Sequence, residues 1–409
     1  MTRQPKSMVP KVRFKGFTDE WEQRKLGDVL FGFKYGLNTP AIDYDGQNKY
    51  LRITDIDDNT HQFMQDKLTS PKNRDDSYLL KSGDILFART GASVGKTYEY
   101  HPEDGKVYYA GFLIKGSTSN NNDASFIFFS TLLNRYIRFV KVTSTRSGQP
   151  GINANEYKKY SLYIPQKNEQ CRISKLLKKI DAIITLQQRK LDQLNTLKKG
   201  LLQKMFADKK HPQPELRFKS FHDNWINHKA GDFMIERNQK ATIDDDFPLK
   251  AFIANKGVAD KGERYDRSAI TNDASNKMYK RTLFNDFIYS SNNLETGSIG
   301  LNKYGNASIS PVYSIFYFKN KESADFFGRI LVRKEFINSM IRYRQGVVYG
   351  QWRIKEKDFL NISISVPSLE EQEKIGSLLD KLDETINVNS KLLNQLKVLK
   401  KSLLQNMFI

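Results

Sequence analysis

The run Thr90-Gly-Ala-Ser-Val-Gly-Lys-Thr97 has the residue types of a phosphate cradle, a glycine loop closing on Gly-Lys-Thr. Such a loop needs four residues between its first Gly and the Gly-Lys-Thr. Gly91 is one residue too close, and Thr90 stands at the required place. The next residues, Tyr98-Glu-Tyr100, read as strand, whereas a phosphate loop runs into a helix whose N-terminus faces the anion. The run is therefore expected to be a glycine-rich turn between strands. A P-loop-like nucleotide hydrolase using Lys96 and Thr97 is the enzymatic alternative. An adenine methyltransferase would carry Asp/Asn-Pro-Pro-aromatic, and no Pro-Pro pair occurs. Acidic groups at 55–58 and 244–246 lie in polar, loop-like settings and read as solvated turns, not as a metal-dependent nuclease centre. The single cysteine, Cys171, excludes a disulfide framework or a multi-cysteine metal site. Five scattered histidines (His61, His101, His211, His222, His228) offer no metal-ligand spacing. No catalytic constellation and no metal site are expected.

Recognition chemistry is better represented. Arg can pair bidentately with guanine, and Asn or Gln with adenine. Short segments joining these types hold Arg89, Lys96, Arg146, Gln149 and Asn153 in the first half of the chain. In the second half they hold Asn292, Asn293, Arg342, Arg344, Gln351 and Arg353. Arg146-Ser-Gly148 and Arg344-Gln-Gly346 occupy equivalent places after an amphipathic helix, with four extra residues in the second copy before Ile354. Charge agrees with an acidic partner: 66 Lys+Arg against 46 Asp+Glu give +20 over 409 residues, which favours polyanions and nucleic acid first among them. No apolar run approaches the roughly 18 residues of a membrane span, and the start shows no apolar stretch of signal-peptide length, so a cytoplasmic protein is expected.

The elements that must position these residues occur twice. Pro10-Lys-Val-Arg-Phe-Lys-Gly-Phe17 is echoed by Pro214-Glu-Leu-Arg-Phe-Lys-Ser-Phe221, then Trp21 by Trp225 and Gly27-Asp28 by Gly231-Asp232. Tyr163-Ile-Pro165 with Glu169-Gln170 matches Ser365-Val-Pro367 with Glu371-Gln372, and the copies end on Met205-Phe206 and Met407-Phe408. Each copy is a body followed by a long regular segment. In the first segment Leu177, Ile180, Ile184, Gln187, Leu191, Leu194, Lys198, Leu201 and Met205 fall on alternating spacings of three and four. Leu379, Leu382, Ile386, Asn389, Leu393, Leu396, Lys400, Leu403 and Met407 hold the same positions in the second. This is a heptad seam, and two matched seams in one chain most simply bury each other. A helix of about 60 Å joined by a linker of at most about 45 Å cannot pair parallel, so an antiparallel coil is expected. Ser368 and Glu371 offer a capping box at the second start. The bodies read as mixed α/β, with strands at 84–88, 108–115, 160–164, 286–290, 312–319 and 362–366, and helical stretches at 124–142 and 323–343.

Trp21 with Leu26-Gly27-Asp28, then Ser82-Gly-Asp-Ile-Leu-Phe-Ala-Arg89, Gly91-Ala-Ser-Val-Gly-Lys96 and Gln149-Pro-Gly-Ile152, carry a resemblance. Together with Ile164-Pro165 and Glu169-Gln170, they resemble the target-recognition domains of type I restriction-modification specificity subunits. The duplicated layout, covering about residues 10–408, is similar to that family's whole plan. The second copy departs from it: Asn285-Asp-Phe-Ile-Tyr-Ser-Ser291 replaces the Gly-Asp-Ile-Leu stretch, and the Gln-Pro-Gly-Ile run is lost, as expected if the bodies read different sequences.

The resemblance implies an α+β fold. Two mixed α/β target-recognition domains would be separated by two long helices in an antiparallel coiled coil with pseudo-two-fold symmetry. On this reading the chain comprises an N-terminal segment (1–16), a first recognition domain (17–165), a first spacer helix (166–207), a linker (208–219), a second recognition domain (220–367) and a second spacer helix (368–409). The resemblance also implies a non-catalytic subunit that binds double-stranded DNA. Its partners would be two methyltransferase subunits and, in the full complex, two restriction motor-nuclease subunits. S-adenosylmethionine, ATP and Mg²⁺ would belong to those partners, with no cofactor in this chain. Two different readers on a spacer predict an asymmetric target whose halves lie about one DNA turn apart. The first long segment carries ten basic and three acidic residues, the second six of each. That surplus could dock partners or face the phosphates of the unread spacer. A coiled-coil adaptor whose bodies bind protein instead of DNA is the non-enzymatic alternative.

Overall fold

The computed structural model describes residues 8–145, 149–207, 212–260, 277–347 and 351–409. They form two compact units, Met1–Gln188 with Lys391–Ile409, and Arg189–Ser390. Both boundaries fall inside long helices, Lys167–Lys204 and Leu369–Asn406.

The first unit is built around a four-stranded antiparallel sheet in the order Leu30–Tyr35, Leu113–Thr118, Asp84–Ala88, Thr97–Glu99. Asp84–Ala88 is buried along its length, and the period of two sends its side chains to both faces. Ile85 and Phe87 enter a core with Phe126, Ile127 and Phe129, while Leu86 and Ala88 enter another with Leu51, Ile56 and Tyr109. The second unit repeats the plan: Met234–Glu236, Ser314–Phe318, Phe287–Tyr289, Ile299–Leu301. Phe287 and Tyr289 face the core that holds Phe326 and Phe359, and Ile288 faces the opposite side.

Each helical stretch expected as one piece is two. Ala124–Ser130 and Asn134–Thr143 are separated at Leu133, whose backbone is extended, and Ala324–Ile330 and Lys334–Ile341 are separated likewise at Arg333. The break suits their different environments: residues 125–130 are all buried, whereas the following helix buries only Tyr136. The strand expected at 108–115 is also divided, into Lys106–Tyr109 and Leu113–Thr118, by a turn in which the Leu113 N–H donates to the Ala110 carbonyl at 2.9 Å.

The repeated motifs are the joints between body and helix. Glu22–Lys25 pairs antiparallel with Ser161–Ile164, the strand leading into the first long helix; Ile226–Lys229 pairs with Ser363–Val366 in the second unit. Glu169, buried in the first turn of the helix, receives the Arg13 guanidinium through Nε (2.7 Å) and Nη2 (2.8 Å). Arg217 binds Glu371 in the same way, both at 2.7 Å. The neighbouring Gln170 and Gln372 fold back to the carbonyls of Pro165 and Pro367, each at 2.9 Å. The capping box expected at Ser368 is half made. Ser368 Oγ accepts the Glu371 N–H at 3.4 Å, but the Glu371 carboxylate is committed to Arg217.

Each unit also contains the end of one long helix beside the beginning of the other. In the first, Met407 and Phe408 share a core with Ile173 and Leu177, and Lys400 Nζ lies 2.7 Å from Asp181. In the second, Met205 and Phe206 share a core with Ile375 and Leu379, and Lys198 Nζ lies 2.5 Å from Asp383. Rising numbers on one helix thus meet falling numbers on the other, so the helices pair antiparallel. All eighteen seam positions are buried or half-buried, while Ile183, Leu186, Leu197, Val388 and Val398, off the seam, are exposed. Gly376 permits a close crossing: a Cβ there would stand 3.0 Å from the backbone nitrogen of Phe326. Each helix end seals an aromatic cluster. Phe408 lies 4.9 Å from Phe126 and 6.2 Å from Trp21, and Phe206 lies 5.5 Å from Phe326 and 6.4 Å from Trp225.

Candidate nucleic-acid interface

The glycine-rich run of the first unit is a strand-to-strand turn. It leaves Asp84–Ala88 and returns as Thr97–Glu99 without an intervening helix. Gly95 has φ +86°, and a Cβ there would lie 2.5 Å from Val140, so conformation and space both demand glycine. Lys96 points inward. Its ammonium donates to the Ile56 carbonyl at 2.9 Å and pairs with Asp58, leaving the side chain 11% exposed. Gly91-Ala-Ser-Val-Gly95 also spells Gly-x-Ser-x-Gly, but a nucleophile elbow is a strand-to-helix turn, and this one is not. The phosphate-loop reading therefore has neither its helix nor its lysine.

Arg89, one residue past the central strand, is anchored through its backbone to the Phe112 carbonyl (3.0 Å) and the Ile152 N–H (2.9 Å). Its guanidinium lies 5.0 Å from the Tyr35 ring and 5.8 Å from the Phe112 ring. Phe112 is 58% exposed and Tyr35 40%. Such a stack restrains the guanidinium while leaving its edge free for hydrogen bonds. The segment bearing Gln149 is docked on the same turn: the Gly91 N–H donates to the Pro150 carbonyl at 3.1 Å, and Thr90 bridges Gly151. Gln149 is exposed. Asn153 is exposed too, but its Oδ1 accepts the Glu156 N–H at 3.0 Å and caps the helix Ala154–Lys158. The fold thus gathers Arg89, Gln149 and Asn153, turns Lys96 away, and adds two aromatic rings that spacing alone does not indicate. Arg146 lies outside the described residues.

In the second unit the corresponding turn carries Asn292 and Asn293, both exposed. Asn292 Oδ1 accepts the Trp352 backbone N–H at 2.6 Å, and Ser291 Oγ accepts that of Ile354 at 3.0 Å. Arg344 is gripped by Glu295 through two bonds of 2.7 and 2.6 Å, its side chain 12% exposed. That fork holds the Glu295 carboxyl below its ordinary range. An arginine whose planar edge is occupied by a carboxylate does not offer the same edge to guanine. Arg342, Gln351 and Arg353 remain exposed, with Arg353 reaching Glu356 at 3.4 Å. Among the described residues no group of three or more His, Cys, Asp or Glu is placed to hold a metal ion. No helix among them is long and apolar enough to cross a membrane.

The family profile of the type I restriction modification DNA specificity domain matches this chain twice, over residues 18–196 and 225–398. The chain belongs to that family. A type I restriction-modification specificity subunit has two DNA-recognition domains, and the two matches cover one copy of the duplicated plan each. A protein of Methanocaldococcus jannaschii bearing the name type I restriction enzyme MjaX specificity subunit is 25% identical over 422 residues, 94% of this chain and 92% of its own. The type I restriction enzyme MjaVIII specificity subunit of the same organism is 21% identical over 412 residues, 94% and 91% of the two chains. The crystal structure of the type I restriction-modification system S subunit from M. genitalium has the same fold. It aligns with a TM-score of 0.63 at 15% identity, over 98% of this chain and 99% of that one. Specificity subunits of this family are in general non-catalytic.

Proposed function

We propose that this subunit reads a bipartite, asymmetric DNA target. The body at residues 17–165 reads one half-site and the body at 220–367 the other. The observation that carries this is the duplication with divergence at its reading edge. The joints Arg13–Glu169 and Arg217–Glu371 are preserved in both units, while Arg89 of the first gives way to Ser291 in the second, and Gln149-Pro-Gly-Ile152 to Gln351-Trp-Arg-Ile354. Preserved joints with altered exposed amides and guanidiniums are what two readers of different sequences require.

The paired helices set the separation of the half-sites, and their outer faces dock methyltransferase subunits. Exposed apolar residues support docking: Ile183, Leu186, Leu392, Val398 and Leu399 in the first unit, Leu197, Leu378 and Val388 in the second. Catalysis, with S-adenosylmethionine for methylation and ATP and Mg²⁺ for translocation and cleavage, resides in two methyltransferase and two motor-nuclease partners, and the complex works on DNA in the cytoplasm. Methylome sequencing of cells with and without this gene, each carrying the methyltransferase partner, tests the reading. A split motif methylated only when the gene is present is expected. Identical methylomes, or a motif without an unread gap, would refute it.

A further inference from the structure

We propose that the two-stranded ribbon of the second unit, Gln345–Val347 paired with Gln351–Arg353, enters the major groove of the half-site read by that unit. The inference rests on the DNA-reading function proposed above and assigns its contact surface.

The ribbon contributes little to a core. Gln345, Gly346, Gln351, Trp352 and Arg353 are all exposed, and no third strand joins either edge among the described residues. An isolated two-stranded ribbon is at best marginally stable in water. This one is held at its base by the Arg344–Glu295 fork and by Asn292 and Ser291, which take the N–H groups of Trp352 and Ile354. Those contacts tie the ribbon to the turn leaving the central strand Phe287–Tyr289, which is fully buried, so a rigid base presents a solvated ribbon.

Register decides which side chains travel together. Gln345 pairs with Arg353, Gly346 with Trp352 and Val347 with Gln351. Directly opposed residues share a face and faces alternate along each strand. Gln345, Val347, Gln351 and Arg353 therefore fall on one face, which brings together two amides and a guanidinium that is 63% exposed and reaches the Glu356 carboxylate through one contact of 3.4 Å. Trp352, 50% exposed, stands on the other face opposite Gly346, which adds no side chain. Amide and guanidinium groups are the ones that pair bidentately with adenine and guanine on their major-groove edges, and that groove, about 12 Å wide, admits a two-stranded ribbon. Exposed Arg342 at the foot of the ribbon supplies a cation for the flanking phosphates.

The test uses the full chain in its methyltransferase complex on duplexes carrying the methylated motif. Gln351→Ala and Gln345→Ala are each expected to relax selectivity about 5- to 150-fold at one base pair of one half-site, leaving the other half-site unchanged. Intact selectivity at the remaining base pairs of the same half-site shows that the mutated unit is folded. In wild type, 7-deazapurines, which lack the major-groove N7 acceptor, should weaken binding at that half-site. Inosine in place of guanine, which alters only the minor groove, should not. Equal weakening on every sequence, or sensitivity to inosine alone, would overturn the assignment. So would loss of methyltransferase association with selectivity intact, which would make the ribbon a protein contact. A wild-type complex that selects no sequence at all would sink the DNA-reading function itself.

Discussion

Arginine serves three separate ends in this chain, and only its surroundings tell them apart. Arg13 and Arg217 compensate carboxylates that are almost wholly buried, and these hydrogen bonds raise the guanidinium pKa further above its ordinary value. Arg344 braces a turn through Glu295, and Arg89 lies against two exposed rings. Removing one member of a buried pair strands the other without its counter-charge. Glu371→Ala is expected to destabilise the second unit by about 3–5 kcal/mol, measured by urea denaturation. A loss below about 1 kcal/mol would show that water replaces the carboxylate at no great cost. The members of both pairs are visible in the repeat, Arg13 echoed by Arg217 and Glu169 by Glu371. Their partnership is not, because 156 and 154 residues separate them. Lys96 and Arg344 look free in the sequence for the same reason: Ile56 and Glu295, which occupy them, lie 40 and 49 residues away.

At the scale of elements, legibility follows periodicity. The heptad seam is a local property, so the helices can be read from spacing, and its polar positions Lys198 and Lys400 stand out as register devices. Their partners, Asp383 and Asp181, lie on the facing helix just off the seam, in equivalent places in the two units. The broken helices at 124–143 and 324–341 are hidden because both halves are apolar enough to continue one pattern. The break is enforced by a core that wants the first half immersed and the second on its surface. If the paired helices set the half-site separation, inserting one heptad at matched points in both should lengthen the tolerated gap and leave both half-site sequences as they were. That outcome is read by methylation mapping, and an unchanged gap would remove the spacing role.

For the molecule as a whole, the governing fact is that one plan is used twice with its joints kept and its exposed edge rewritten. Each unit closes with the end of a long helix against its tryptophan, Phe408 at Trp21 and Phe206 at Trp225. Each body is therefore complete only when both helices are present, and exchanges of specificity should leave these joints intact. The plan can be read in the sequence because duplication compares the chain with itself. Base choice cannot, since it depends on which few exposed side chains escape internal partners. The most direct measurement replaces residues 17–165 with the corresponding body of another family member and maps methylation by the reassembled complex. One half of the motif should change while the other half and the gap stay as they were. A motif altered in both halves, or in neither, would contradict two independent readers in one chain.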